Sequence, residues 1–186
     1  MKNTYVKSFT VLTLICAVIT AVLAAVNFFS APVIAENEEK AAKEACFTVM
    51  EGAVDFEELD LSQYSLPATV TAVYRESTGM GYVFKLSTRG YADGLVIVCG
   101  IDTDGLITGI YTVATSETED LGGQAASPDS EYILQYIGKD SSLSGINDLF
   151  TSSETEKGGA TKTSDGYKNA IRDAFTAFAA VAKGES

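Results

Sequence analysis

The chain has 186 residues, of which 46% are hydrophobic, so it can form one domain with an appended segment. Its 25 acidic and 13 basic residues give a net charge of -12, which argues against nucleic acid as a partner because phosphate contacts need clustered lysine and arginine. The absence of histidine excludes imidazole-based acid–base catalysis, including triads. Three cysteines (Cys16, Cys46 and Cys99) have no metal-site spacing and make no even-numbered disulfide framework.

The first 35 residues have the composition of a membrane anchor. Residues 8–35 carry no charge, and residues 9–29 form an apolar core of about 20 residues, the length needed to cross a bilayer. A cleaved signal peptide is the alternative, but its apolar region usually spans only about 7–15 residues. Lys2 and Lys7 place the N-terminus in the cytoplasm by the positive-inside rule. We therefore expect a single-pass anchor in the cell membrane with the remainder outside the cytoplasm.

A helical stalk and a connection are predicted over residues 36–66. Pro32 is expected to close the anchor, and residues 36–51 are rich in glutamate, lysine and alanine. This second helix is interpreted either as a stalk leaving the membrane or as a solvated surface helix. Residues 55–66 are polar and indicate a plain connection.

Strand signals follow in quick succession. The predicted strands cover residues 69–75, 82–87, 95–99 and 107–115, on β-branched content, alternation or a continuous apolar run. Asp104 and Gly105 between two of them are a strong hairpin signal, since both residue types tolerate positive φ. Cys99 lies within an apolar strand and is expected in the core.

The C-terminal part is predicted to be mainly loop and helix. Residues 116–124 form an acidic, glycine-containing loop, and residues 132–137 a short helical or extended patch. A final helix is expected to begin near Ser164 or Asp165. Its apolar face, spaced at three- and four-residue steps, should pack on the sheet: Tyr167, Ala170, Ile171, Ala174, Phe175, Phe178 and Val181. The predicted fold class is α+β, with an antiparallel sheet and helices in a domain over residues 67–186.

A run of small residues precedes this helix. Gly158, Gly159 and Ala160 lead into the hydroxyl side chains of Thr161, Thr163 and Ser164. Small residues let another molecule approach the backbone closely, and the start of a helix favours a phosphate. A flexible loop followed by an N-cap is the alternative interpretation.

The run from Gly158 to Ser164 resembles the flavin-attachment motif of the FMN-binding domain family, found in the G subunit of the Rnf electron-transport complex and the C subunit of sodium-pumping NADH:quinone reductase. Further matches follow in the expected order. The segments 81–84, 90–94 and 100–105 look like that family's strands and turns, residues 116–122 like its second loop, and residues 136–139 like its short aromatic step. The single anchor and short chain favour the Rnf protein.

The resemblance implies that FMN is held covalently, through a phosphoester to Thr161, with a flavin transferase making the bond. The other residues that it places around the cofactor are Gly159, Ala160, Thr163, Ser164, Glu117, Thr118, Leu121 and Gly122. This chain departs from the family at Gly158 and Thr155 in the motif, and at Glu119 and Asp120 in the second loop.

The implied function is an electron relay within an Rnf-type complex that passes electrons between ferredoxin and NAD and moves Na⁺ or H⁺. Its partners would be the other membrane subunits, with no self-contained active site in this chain. Two alternatives stay open: a free-standing anchored flavoprotein for extracellular electron transfer, and a non-redox anchored binding or assembly module.

Overall fold

The computed structural model describes residues 2–117, 130–146 and 160–184. The chain divides into two compact units, Met1–Lys40 and Ala41–Ser186. Helix α1 (Lys2–Val49) makes up the first unit and continues into the second. Within the described ranges, one helical stretch, Lys7–Val49, is long and apolar enough to cross a membrane.

Pro32, expected to close the anchor, lies inside α1, and the two helices predicted on either side of it are one continuous helix. Proline removes one backbone hydrogen bond and crowds the preceding turn, which in a helix interior costs about 3 kcal/mol. The alanine, glutamate and lysine residues that follow are strong helix formers. The helix therefore resumes its regular pattern beyond the proline instead of stopping there.

Within the described residues the second unit contains one five-stranded antiparallel sheet, in which strands neighbour one another in chain order. The strands are β1 (Phe56–Glu58), β2 (Val70–Glu76), β3 (Gly81–Arg89), β4 (Asp93–Asp102) and β5 (Ile107–Ala114). The four predicted strands are confirmed, as is the hairpin with Gly105 at φ 78°. Strand β1 lies in the region predicted to be a connection. It was missed because it is three residues long and mostly exposed.

The last turns of α1 cover one face of the sheet. Ala42, Ala45, Cys46 and Val49 are buried there, together with the sheet residues Tyr74, Val83 and Val98. The interpretation as a solvated surface helix is therefore wrong for these turns. Alanine and cysteine side chains are small enough to let the helix lie close against the strands.

The opposite face of the sheet carries the larger core, formed with α2 (Glu131–Leu134) and α3 (Ala160–Gly184). The predicted apolar face of α3 is confirmed: its residues are buried from Tyr167 to Val181, with Phe178 partly buried. The predicted start near Ser164 is wrong, since α3 begins at Ala160. The apolar periodicity begins only at Tyr167, so it carried no signal for the polar first turn.

Candidate functional site

The first two turns of α3 lie against the turn between β3 and β4. A Cβ atom added at Gly166 of α3 would lie 2.7 Å from the carbonyl oxygen of Arg89, and one added at Gly90 would lie 3.3 Å from Cα of Thr163. Two glycines therefore allow backbone to approach backbone where the helix begins. This contact fixes the position of the small-residue motif relative to the sheet.

The hydroxyl residues of the motif differ in exposure. Thr161 is exposed, whereas Thr163 is fully buried and Ser164 is 2% exposed. Residues two apart on an α-helix are separated by about 200° around its axis. The burial of Thr163 therefore turns Thr161 outward, where another molecule can reach its hydroxyl.

Glu117 binds the buried side of this turn. The hydroxyl of Thr163 donates to Oε2 of Glu117 at 2.9 Å, and the backbone N–H of Ala92 donates to Oε1 at 3.1 Å. The backbone N–H of Glu117 in turn donates to the Thr115 hydroxyl at 3.2 Å. The carboxylate of Glu117, three residues after β5 ends, thus joins the β3–β4 turn to the first turn of α3.

Two tyrosine side chains form hydrogen bonds at the start of α3. The Tyr132 hydroxyl donates to the carbonyl oxygen of Ser164 at 2.9 Å, and the hydroxyls of Tyr167 and Thr112 share a hydrogen bond. Burial raises the pKa of Tyr167 above its usual range, and the charge of Glu117 acts in the same direction. Tyr167 is therefore neutral and acts as a hydrogen-bonding core residue.

The side chain of Ser164 points into the protein. Its hydroxyl oxygen is buried and, among the described residues, has no hydrogen-bond partner. A buried hydroxyl without a partner costs free energy, on the order of 1–3 kcal/mol. Ser164 consequently contributes its carbonyl oxygen, not its side chain, to the bonding of this turn.

Lys162, the residue that follows Thr161, lies over an aromatic ring. Lys162 Nζ is 5.6 Å from the ring centroid of Tyr91, in cation–π geometry. Tyr91 belongs to the β3–β4 turn and is 63% exposed. The accessible side of the motif therefore offers a hydroxyl, a positive charge and a flat apolar surface.

The structure brings Glu117 and Thr163 together and places Thr161 and Ala160 on the same turn. Ser164, also predicted, is buried on the next turn. The remaining sequence-predicted site residues lie outside the described residues: Gly159, Thr118, Leu121 and Gly122, with the departures Gly158, Thr155, Glu119 and Asp120. Ala92, Tyr132 and Gly166 were not assigned site roles from the sequence. Only Ala92 had a signal, since it lies in the glycine-flanked segment 90–94.

Two parts of the chain match known protein families. Residues 1–49 match the RnfG N-terminal region, and residues 90–176 match the FMN-binding domain. The second match includes the β3–β4 turn, Glu117 and the first turns of α3.

Two relatives are similar over most of the chain. The G subunit of the Na(+)-translocating ferredoxin:NAD(+) oxidoreductase complex of Acetobacterium woodii is 33% identical over 129 residues, covering 62% of this chain and 62% of the relative. The G subunit of the ion-translocating oxidoreductase complex of Shewanella baltica is 24% identical over 151 residues, covering 75% of this chain and 71% of the relative. The resemblance noted in the sequence is thereby confirmed. Residues 90–176 therefore match the FMN-binding domain, and residues 1–49 match the RnfG N-terminal region.

Proposed function

We propose that this chain is an electron-transfer subunit of an Rnf-type ion-translocating ferredoxin:NAD oxidoreductase complex and carries one FMN on Thr161. The observation that carries the proposal is the exposed hydroxyl of Thr161 on the first turn of α3, inside the segment matching the FMN-binding domain. Thr163 and Ser164 are buried and leave Thr161 as the accessible hydroxyl among these three.

The first turn of α3 fits a phosphoester. Its leading N–H groups have no acceptor within the helix and give this end a partial positive charge, which stabilises an anion. The start at Ala160 puts Thr161 within that turn, and Lys162 adds a positive charge at the next position. The carboxylate of Glu117 is already hydrogen-bonded to Thr163 and Ala92.

In the proposed modification, a flavin transferase brings an activated flavin nucleotide to Thr161. The Thr161 oxygen bonds to phosphorus as its proton and the nucleotide's leaving group depart. Bound flavin accepts and donates one or two electrons by its own chemistry. The residues of this chain would supply attachment, orientation and local charge, without a general acid or base.

The membrane arrangement is part of the proposal. Helix α1 would anchor the chain in the cell membrane as a single span, with Lys2 and Lys7 on the cytoplasmic side and the FMN-binding domain outside. The names of the two relatives support other subunits of such a complex as partners in the membrane. A cytoplasm-specific reporter fused after Ser186 should be inactive, and activity of that reporter would contradict the orientation.

The test of attachment is covalent flavin on the full-length chain. The chain is co-expressed with a flavin transferase in an exporting host, denatured, and analysed by intact mass and in-gel flavin fluorescence. Wild type should carry one flavin and Thr161→Ala none. Thr176→Ala removes another exposed hydroxyl of α3 and is the matched control, which should carry flavin like wild type. Wild type without flavin would contradict the proposed function, and flavin on Thr161→Ala would contradict the assigned residue.

A further inference from the structure

The carboxylate of Glu117 links two segments that are distant in sequence. Thr163, which donates to it at 2.9 Å, lies 46 positions further along the chain, and Ala92, which donates at 3.1 Å, lies 25 positions before it. Both carboxylate oxygens are thus used in bonds that hold α3 to the β3–β4 turn. A hydrogen bond to an ionised acceptor is stronger than one between neutral groups.

Gly90 makes room for this arrangement. A Cβ atom added at Gly90 would lie 2.3 Å from Oε1 of Glu117, too close for the carboxylate to keep its place. The same atom would lie 3.3 Å from Cα of Thr163. The glycine therefore lets the carboxylate and the helix backbone pack together at one point.

We infer that Glu117 is a positioning residue for Thr161: by binding Thr163 on the buried side of α3, it holds the first helical turn so that the Thr161 hydroxyl faces outward for modification. This inference rests on the proposed function. Thr163 is fully buried and Thr161 is exposed, two residues apart on the same turn. If this turn unwound or rotated, Thr161 would lose its fixed direction.

The charge of Glu117 suits this position as well. An anion beside the first turn of a helix is stabilised by the unpaired N–H groups there. The bond to Thr163 lies on the buried side of the turn, whereas Lys162 and Tyr91 lie on the accessible side. Glu117 therefore acts through the helix, without needing to touch the flavin.

Four substitutions in the full-length chain distinguish the hydrogen bond between Thr163 and Glu117, called the tether below, from the negative charge of Glu117. Thr163→Val keeps the shape but removes the hydroxyl, and Thr163→Ser keeps the hydroxyl. Glu117→Ala removes both bonds, whereas Glu117→Gln can accept from Ala92 N–H and donate to the Thr163 hydroxyl without a charge. Each variant is membrane-extracted in detergent and incubated with flavin transferase, and the initial rate of covalent flavin attachment is measured by in-gel fluorescence.

Thr163→Val and Glu117→Ala should be modified up to about five-fold more slowly than wild type, since loss of one ordinary hydrogen bond changes the equilibrium constant between the held and the released turn by about that factor. Thr163→Ser should stay within about two-fold of wild type, because it keeps the bond to the charged carboxylate. Glu117→Gln should be modified at a rate between those of wild type and Glu117→Ala, because it keeps both hydrogen bonds in their weaker neutral form. The melting temperature of each variant is measured as well, with near-ultraviolet circular dichroism as the signal for unfolding.

Wild-type rates in both Thr163→Val and Glu117→Ala would overturn the inference while leaving the proposed function intact. Rates that merely follow the melting temperature across all four variants, with no recovery in the conservative pair, would also overturn it. A wild-type chain that takes up no flavin would overturn the proposed function, and the inference with it.

Discussion

Thr108 donates its hydroxyl hydrogen to the carbonyl oxygen of Val49, the last residue of α1, at 2.6 Å. The last carbonyl groups of a helix have no N–H group within the helix to accept from, so the Thr108 hydroxyl supplies the donor for one of them. Directly beside it, Gly109 lies opposite Gly100 in the β4–β5 pairing. Cβ atoms added at these glycines would each lie 2.9 Å from the Val49 carbonyl oxygen. The end of α1 is therefore held on the sheet by one hydroxyl and two glycines.

We predict that Thr108→Val lowers the free energy of unfolding by about 1 kcal/mol, because the buried end of α1 loses its donor. Gly109→Ala should lower the free energy of unfolding by about 1–3 kcal/mol, because the new Cβ atom would overlap backbone atoms of Val49, which cannot move aside as a side chain can. Denaturant unfolding in detergent, followed by tyrosine fluorescence, measures both. Thr108→Ser keeps the hydroxyl and is the control. Equal loss in Thr108→Ser and Thr108→Val would contradict the role of the hydrogen bond.

The strands of this fold could be predicted from the sequence because their signals are local. Residues 95–99 are continuously apolar, and Asp104 with Gly105 marks the following turn. The contact of Val49 with the sheet has no such local signal, since its partner Thr108 is 59 residues away along the chain. Pro32 is the opposite case, since it is a local signal for the end of a segment that the helix does not obey.

Glu76 should make the stability of the domain acid-sensitive. Its buried carboxylate accepts hydrogen bonds from the N–H groups of Val54, Thr78 and Met80 and from the Thr78 hydroxyl. Burial alone would raise the pKa of Glu76, but these hydrogen bonds outweigh it and lower the pKa from 4.5 to about 2. A depressed pKa stabilises the fold above pH 4.5, and that contribution is lost as the pH falls toward 2.

We therefore expect Glu76→Gln to melt at a lower temperature than wild type at neutral pH and to lose less stability on acidification. Melting temperatures by near-ultraviolet circular dichroism, from about pH 7 down to pH 2, give the comparison. Glu58→Gln removes a carboxylate from an exposed position of β1 and serves as the control. If wild type and Glu76→Gln showed parallel pH profiles, Glu76 would not be the group responsible.

Cys99 should be inert toward alkylating reagents in the folded chain. The side chain is fully buried in β4, and burial raises the pKa of the thiol to about 12. Since the thiolate is the reactive form, iodoacetamide at pH 8 should leave Cys99 unmodified natively and modify it fully in denaturant. Peptide mass spectrometry measures the modification. Ser87→Cys, at an exposed position of β3, is the control and should be modified in both conditions. Native modification of Cys99 at the rate of the exposed control would contradict its burial.

In the candidate site, too, the residue marked by its neighbours in the sequence could be predicted, whereas contacts between distant residues could not. Thr161 was singled out by its neighbours in the chain, a run of small residues followed by hydroxyls. The role of Glu117 was not evident, because its partners Thr163 and Ala92 approach it only in the folded sheet. The resemblance predicts that Glu117 borders the flavin, and this stays a prediction; the hydrogen bonds of its carboxylate to Thr163 and Ala92 are what the sequence does not indicate.

For Gly166→Ala, helix propensity and tertiary packing predict opposite changes in stability. Replacing glycine by alanine within a helix should stabilise it by about 0.5–1 kcal/mol on propensity alone. Here the new Cβ atom would lie 2.7 Å from the Arg89 carbonyl oxygen and 3.2 Å from Cα of Gly90. Overpacking against backbone costs about 1–3 kcal/mol, so Gly166→Ala should be destabilising overall.

Gly90→Ala provides the comparison, because its first obstacle is the end of the Glu117 side chain, which can rotate away. We expect Gly90→Ala to cost less stability than Gly166→Ala, yet to slow flavin attachment, since moving the carboxylate breaks its bond to Thr163. Urea unfolding and the rate of covalent flavin attachment, measured on the same full-length preparations, test the two effects together. A stabilising Gly166→Ala would show that α3 is not pressed against Arg89. Normal flavin attachment in Gly90→Ala would mean that Glu117 keeps its tether in another rotamer or that the tether does not govern modification.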